Sequence, residues 1–180
     1  MEQASAGSIL AMRSKQMKII GLMFLALSLG IGGFIWKTQI GDDEIFILPE
    51  GYTGVVFILY DQENGEPKKF EQGKRVYEIS PNGILRTQFS LNTGWHSPGK
   101  YYYKKNGKLV EIPNLFDDRD PEAKREIASK VHVCCPSSGK AGKDPNEVPT
   151  VFEKFYVGTD EEIHEASEKG EKMNPADLIY

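Results

Sequence analysis

The chain has 180 residues, 39% hydrophobic and 27% charged, a length and balance that suit one soluble domain with an appended segment. Lysine and arginine number 22 against 26 acidic residues; residues 1–36 hold Arg13, Lys15 and Lys18 against Glu2, so the remainder carries 19 basic and 25 acidic side chains, a net charge of −6. That balance excludes the basic footprint on which nucleic-acid binding depends, and electrostatic attachment of the whole domain to anionic lipid.

The first element in chain order is residues 19–36 (IIGLMFLALSLGIGGFIW), 18 residues without a charge. As a helix they span about 27 Å, close to the roughly 30 Å hydrocarbon core of a bilayer. Arg13, Lys15 and Lys18 precede the run and Lys37 follows it, so the positive-inside rule predicts a cytoplasmic segment 1–18, a single-pass transmembrane signal anchor 19–36 with Trp36 at the outer interface, a linker 37–43, and everything beyond on the outside. One alternative is a signal peptide starting at Met17 and cleaved near the small residues Ser28, Gly30 and Gly32, leaving a secreted protein. The run exceeds the roughly 7–15 residues of an ordinary signal core, which favours the anchor. A buried core helix is a further alternative.

Short strand signals follow. Residues 44–48 (EIFIL) stop at Pro49; residues 54–60 (GVVFILY), short and β-branched, predict a buried strand. Residues 61–67 read as a loop, 74–80 (KRVYEIS) alternate, Pro81-Asn82-Gly83 forms a turn, and 84–90 (ILRTQFS) is read as the return strand. After a loop bearing Trp95 and His96, residues 100–109 (KYYYKKNGKL) predict a hairpin turning at Asn106-Gly107, because a type I′ turn needs positive φ at both positions. Its second strand ends at Pro113.

Asp120-Pro121-Glu122 opens a helix on which Glu126 can pair with Lys130. Residues 131–135 (VHVCC) predict a short strand broken by Pro136, residues 137–149 a loop, and residues 150–157 (TVFEKFYV) a strand. Thr159 and Glu162 form a capping box for a helix that stops at Gly170. The expected fold is mainly β (α+β): a β-sandwich-like extracytoplasmic domain over residues 44–169, with two short helices in its C-terminal half and a flexible tail 170–180, preceded by one N-terminal transmembrane helix.

Leu48-Pro49-Glu50-Gly51-Tyr52-x-Gly54, Gly73-Lys74-Arg75-Val76-Tyr77-x-Ile79, Pro81-Asn82-Gly83-Ile84-Leu85-x-Thr87 and Phe155-Tyr156-Val157-Gly158-Thr159 resemble the pattern of an uncharacterised family of exported or membrane-anchored bacterial domains of unknown function. The resemblance spans residues 45–162 and implies a fold and an exported setting, with no activity to carry over. The architecture is also similar to small transthyretin-like β-sandwiches.

Four groups invite a chemical reading. Cys134 and Cys135 are neighbours; a trans peptide sets their Cα atoms about 3.8 Å apart, below the usual disulfide range, and an extended strand points them to opposite faces. Two separate thiols are therefore expected, one in the core and one nearer the surface; the alternatives are an intermolecular disulfide, a weak metal half-site of His132 and Cys134 at i,i+2, and a catalytic thiol with His132 as its base. Asp117, Asp118 and Asp120 lack the spacing of a calcium loop. Trp95, His96, Tyr101 and Tyr103, rimmed by Lys100 and Lys104, are the candidate binding residues: an aromatic face bordered by lysines can stack on a sugar or hold an anionic polymer, or else pack across strands. His164 is expected to be solvated. No phosphate loop, dinucleotide fingerprint, zinc-protease or serine-hydrolase motif occurs, so no catalytic residue, metal or cofactor is assigned. The expected function is a binding or interaction module at the cell envelope, its partner another envelope protein or a cell-surface polymer. The alternatives are an exported hydrolase using carboxylates or a metal, and an envelope immunity or inhibitor protein.

Overall fold

Alternation of apolar and polar residues decides which side chains face inward, and here it builds two sheets. The computed structural model describes residues 40–115, 126–127 and 130–179. The predicted anchor 19–36 and the predicted helix start at Asp120 lie outside them; among the described residues no helix is long and apolar enough to cross a membrane. The strands are β1 (Glu44–Pro49), β2 (Gly54–Leu59), β3 (Lys69–Glu71), β4 (Lys74–Glu78), β5 (Ile84–Arg86), β6 (Lys100–Lys105), β7 (Lys108–Ile112), β8 (His132–Ala141) and β9 (Thr150–Gly158), followed by helix α1 (Asp160–Glu171) and a 3₁₀ turn (Pro175–Leu178). One sheet has the order β3-β4-β1-β6-β7 and the other β5-β2-β9-β8.

The chain divides into two compact units. The larger comprises residues 42–92 and 96–180 and holds both sheets. The smaller includes, among the described residues, 40–41 and 93–95. Within it Ile40 forms a parallel bridge to Trp95, and the Gly41 amide donates to the Trp95 carbonyl at 3.0 Å.

In the larger unit the inner faces of both sheets meet in one core. Phe46 and Leu48 of β1, Tyr77 of β4 and Tyr101 of β6 come from one side; Val56 and Ile58 of β2, Phe155 and Val157 of β9 and Val133 of β8 come from the other. Register fixes the centre of this core. Phe46 is paired with Tyr77 on one flank and Tyr101 on the other. The three rings stack across the sheet, at 4.9 Å and 13° to Tyr77 and 4.8 Å and 12° to Tyr101, while Phe155 meets Phe46 edge-on at 5.5 Å. Offset stacking and edge contacts are the arrangements aromatic quadrupoles favour.

Several local expectations hold. Asn106 and Gly107 adopt φ of +49° and +77° between β6 and β7. Thr159 caps α1: its hydroxyl accepts from the Glu162 amide while the Glu162 carboxylate accepts from the Thr159 amide at 2.9 Å. Glu126 and Lys130 pair at 2.7 Å.

Other expectations are corrected. Residues 84–90 do not return alongside β4. The Pro81–Gly83 turn hands the chain to the opposite sheet, where β5 runs parallel to β2. Pro136 does not break β8, an edge strand in which a missing N–H is tolerated; pairing with β9 slips between Cys134 and Ser137 and then resumes. Cys134 and Cys135 form a disulfide with their Cα atoms 3.8 Å apart. Cys135 has φ of +60°, so the strand is not extended there, and the opposed side-chain directions of a regular strand do not apply.

Gly170 is not a stop but a buried packing position inside α1: a Cβ there would come 3.1 Å from Val55 Cγ2 and 3.2 Å from the Tyr156 ring. The segment expected to be a loose tail is docked. Pro175 and Ala176 are buried, Arg86 Nε donates to the Leu178 carbonyl at 2.8 Å, and Lys143 pairs with Asp177 at 3.1 Å.

Candidate functional site

Glu44 and Glu153 are the residues through which this fold acquires unusual chemistry. Glu44 begins β1 and shares its inward face with Phe46 and Leu48; Glu153 lies in β9 on the inward face of Phe155 and Val157. The period-2 rule therefore aims both carboxylates into the space between the sheets, at the end where the hydrophobic core stops. A pocket of about 200 Å³ opens there, lined by Glu44, Leu91, Asn92, His96, Pro136, Ser137, Ser138 and Glu153.

Each carboxylate is held by a buried tyrosine. Tyr77 donates to Glu44 Oε1 at 2.9 Å and Tyr60 donates to Glu153 Oε2 at 2.8 Å. The two tyrosine rings meet edge-on at 6.3 Å. His96 Nε2 stands 3.6 Å from Glu44 Oε2. The wall is pinned by Asn92, which donates to the Asp42 carbonyl at 2.7 Å and accepts from the Asp42 amide at 3.1 Å. Arg75 meets Asp42 Oδ2 at 2.8 Å and the Ser90 carbonyl at 2.7 Å, and it also acts on Tyr77 and Glu44.

Burial dominates the electrostatics. It raises Glu44 above the usual carboxylate range, against the Tyr77 hydrogen bond and the nearby His96 and Arg75. It pushes Glu153 up to about 7, against the Tyr60 hydrogen bond and with the added repulsion of Glu44. Tyr60 and Tyr77 are raised too, first by burial and then by the neighbouring carboxylates, so both remain hydrogen-bond donors at neutral pH. The pocket thus holds two carboxyl groups of which one is part-protonated near pH 7, the condition under which a carboxyl can give or take a proton or answer an incoming cation by ionising.

A second depression of about 570 Å³ lies between α1 and the turns after β1 and β4, with Tyr52, Phe57, Asn82, Ile84, Lys169 and Met173 among its lining. Its wall is set by Tyr52, whose hydroxyl donates to the Val55 carbonyl at 2.5 Å, and which burial pushes up to about 12.

The aromatic–lysine cluster read from the sequence is divided by the fold. Tyr101 is 3% exposed and belongs to the core stack. Tyr103 is half-buried and donates to the Tyr52 carbonyl at 2.6 Å. Lys100 and Lys104 are exposed, Lys104 standing 3.8 Å from Glu78. Trp95 is exposed in the smaller unit. His96 is the member that reaches the acidic pocket.

The His132–Cys134 half-site is closed. His132 is buried with Nδ1 at 2.8 Å from the Lys130 carbonyl and Nε2 at 3.6 Å from Asp160, and the Cys134 sulfur is bonded to Cys135. Among the described residues no group of three histidine, cysteine or acidic side chains is placed to hold a metal ion. His164 is exposed, 3.8 Å from Glu168.

Sequence reasoning missed Glu44 and Glu153, although the signal was present: each is the polar member of an otherwise apolar inward-facing series, 44-46-48 and 153-155-157.

A family described as "Family of unknown function (DUF6843)" matches residues 41–167, and the chain belongs to it. The chain is also similar to a crystal structure described as "Putative Lipoprotein from Bacillus anthracis", with 20% identity and a TM-score of 0.47 over 64% of this chain and 69% of that one. No curated protein matches the chain.

Proposed function

We propose that this member of the family is an extracytoplasmic binding module, held at the cell envelope by residues 19–36, which takes a cationic group of its partner into the Glu44–Glu153 pocket. The observation that carries this reading is the pair of inward-facing carboxylates, each held by a tyrosine hydroxyl, at an open end of the core. Drawing two carboxyl groups out of water side by side is costly even with His96 and Arg75 nearby, and an ammonium or guanidinium group relieves that cost by stabilising both in their ionised form. The extracytoplasmic setting is supported by the uncharged run after Arg13, Lys15 and Lys18, and by a disulfide, a bond that persists in oxidising compartments. The partner class is an envelope protein presenting lysine or arginine, or a cell-surface polymer bearing amines.

The test is a titration of full-length protein in neutral detergent with N-acetyl-lysine methylamide, using its uncharged ε-acetyl analogue as control. The expected result is binding of the charged probe alone, weakened about tenfold or more by Glu153→Gln, whose amide oxygen can still accept from Tyr60. Equal binding of both probes, or unchanged affinity in the variant, refutes it.

The same pocket favours one second reading, a hydrolase using carboxylates. A carboxyl raised to about 7 beside a second one provides an acid and a base in one cleft. Turnover of a glycoside or ester substrate that is lost in both Glu44→Gln and Glu153→Gln would favour it over simple binding.

A further inference from the structure

One wall of the acidic pocket is continuous with a feature that cation binding does not use. Pro136, Ser137 and Ser138 line the pocket, and the residues just before them are the disulfide-bonded Cys134 and Cys135. The two sulfur-bearing residues lie in different surroundings. Cys134 is buried beneath α1 with Tyr156 and Ala166, whereas Cys135 is exposed. Cys135 also has φ of +60°, a conformation that residues with a side chain rarely adopt. The same place is where β8 loses step with β9: Cys134 pairs with Tyr156, pairing then lapses, and it resumes at Ser137 opposite Lys154. The covalent ring, the left-handed residue and the bulge thus coincide.

We propose that the Cys134–Cys135 disulfide is a redox centre whose substrate is a dithiol, and that its oxidation state sets the bulge that places Ser137 and Ser138 in the pocket wall. A thiolate of the dithiol attacks the exposed Cys135 Sγ. The Cys134–Cys135 bond breaks, Cys134 Sγ leaves as a thiolate and takes a proton, and a mixed disulfide joins the dithiol to Cys135. The second thiol of the dithiol, deprotonated, attacks its own sulfur in that mixed disulfide, forming the dithiol's disulfide and releasing Cys135 as a thiolate that is then protonated. Two electrons and two protons pass to the cysteine pair, and the dithiol is oxidised. A monothiol is less effective, because Cys134, one peptide away, can attack the mixed disulfide and close the ring again before a second monothiol arrives. Once the ring is open, Cys135 is no longer held at positive φ. An extended residue 135 shifts the alternation of the residues that follow and turns the faces of Ser137 and Ser138.

The experiment needs no pocket ligand, so its failure is separate from failure of the cation reading. Full-length protein purified without reductant is treated with dithiothreitol or with the same thiol concentration of glutathione. Free thiols are counted with a chromogenic reagent, and amide hydrogen exchange is followed along β8. The expected result is no free thiol at the start, two after dithiothreitol and fewer with glutathione, together with faster exchange after dithiothreitol confined to residues 135–141 and their β9 partners. Cys135→Gly, which accepts positive φ without the ring, is expected to keep the slow exchange of the oxidised protein. Two free thiols in the untreated protein, a bond that resists dithiothreitol in the folded state, or reduction that leaves β8 exchange unchanged would each overturn the proposal.

Discussion

Tyr52 occupies the space that a side chain at residue 83 would need. Gly83 has φ of +79°, and a Cβ built on it would overlap the Tyr52 hydroxyl and come 2.6 Å from the Val55 carbonyl oxygen. The turn after β4 is thus pressed against the turn after β1, and the contact exists because residue 83 has no side chain. Gly83→Ala meets both penalties, positive φ and overlap, and is expected to cost on the order of 2 kcal/mol or more. Tyr52→Phe loses the bond to Val55 alone and is expected to cost about 1 kcal/mol. Urea unfolding of the two variants checks the order; equal losses would mean that the phenol, not the glycine, sets the contact.

Stability should fall as pH rises toward neutrality. Glu153 has a folded pKa of about 7, above the roughly 4.3 of an unfolded glutamate. Between those values the folded chain holds a proton that the unfolded chain has lost. The contribution is therefore full below the unfolded value and lost as pH passes through about 7, a change on the order of 3 kcal/mol. Glu44, raised by burial, acts in the same direction, while Glu78, lowered by its hydrogen bond to Lys69, acts oppositely at more acidic pH. Unfolding midpoints at pH 5 and pH 8, for wild type and Glu153→Gln, isolate the effect. The variant should show the smaller difference, and parallel profiles would contradict the assignment.

Removing the aromatic members of the residue 95–103 segment should give opposite outcomes. Tyr101→Ala empties a place between Phe46 and Phe155 and is expected to cost about 3–5 kcal/mol. Trp95→Ala, at an exposed position, should stay within about 0.5 kcal/mol. Thermal unfolding of both proteins is sufficient; a large loss at Trp95 would show that its ring is covered.

Thr159→Ala removes the hydroxyl that accepts from the first turn of α1 and should cost about 1 kcal/mol. Because α1 covers Cys134, Tyr156 and Val55, the loss should also speed hydrogen exchange at the centre of β9. A variant that loses stability without that change would place the cap's effect within the helix itself.

How far the sequence carries the fold depends on the range of the interaction. Asn106-Gly107 and Thr159-x-x-Glu162 are local signals with local causes, and both produce the predicted turn and cap. Pro81-Asn82-Gly83 is equally clear as a turn, but the same three residues can return a strand or pass it to another sheet. The difference rests on the pairing of β5 with β2, some 27 residues distant in the register Phe57↔Ile84. Pro136 reads as a breaker until β8 is known to be an edge. The acidic pocket was only half legible. Alternation marks Glu44 and Glu153 as inward-facing, but their meeting requires knowing that β1 and β9 lie in opposite sheets. Tyr101 failed as a binding residue for the converse reason: a strand bordered by lysines looks exposed until Phe46 is placed beside it.

β1 has parallel partners on both sides, β4 and β6. Parallel neighbours cannot be joined by tight hairpins, and here the chain visits the second sheet between them: β2 follows β1 before β4 forms, and β5 follows β4 before β6. No early hairpin can therefore complete the Tyr77–Phe46–Tyr101 stack; its three rings come from segments separated by excursions that must themselves be placed. The sequence-adjacent pairs β3–β4, β6–β7 and β8–β9 can close locally, but the stack itself waits on long-range loop closure. Docking of the central aromatic stack is therefore expected to lag behind closure of the hairpins around it.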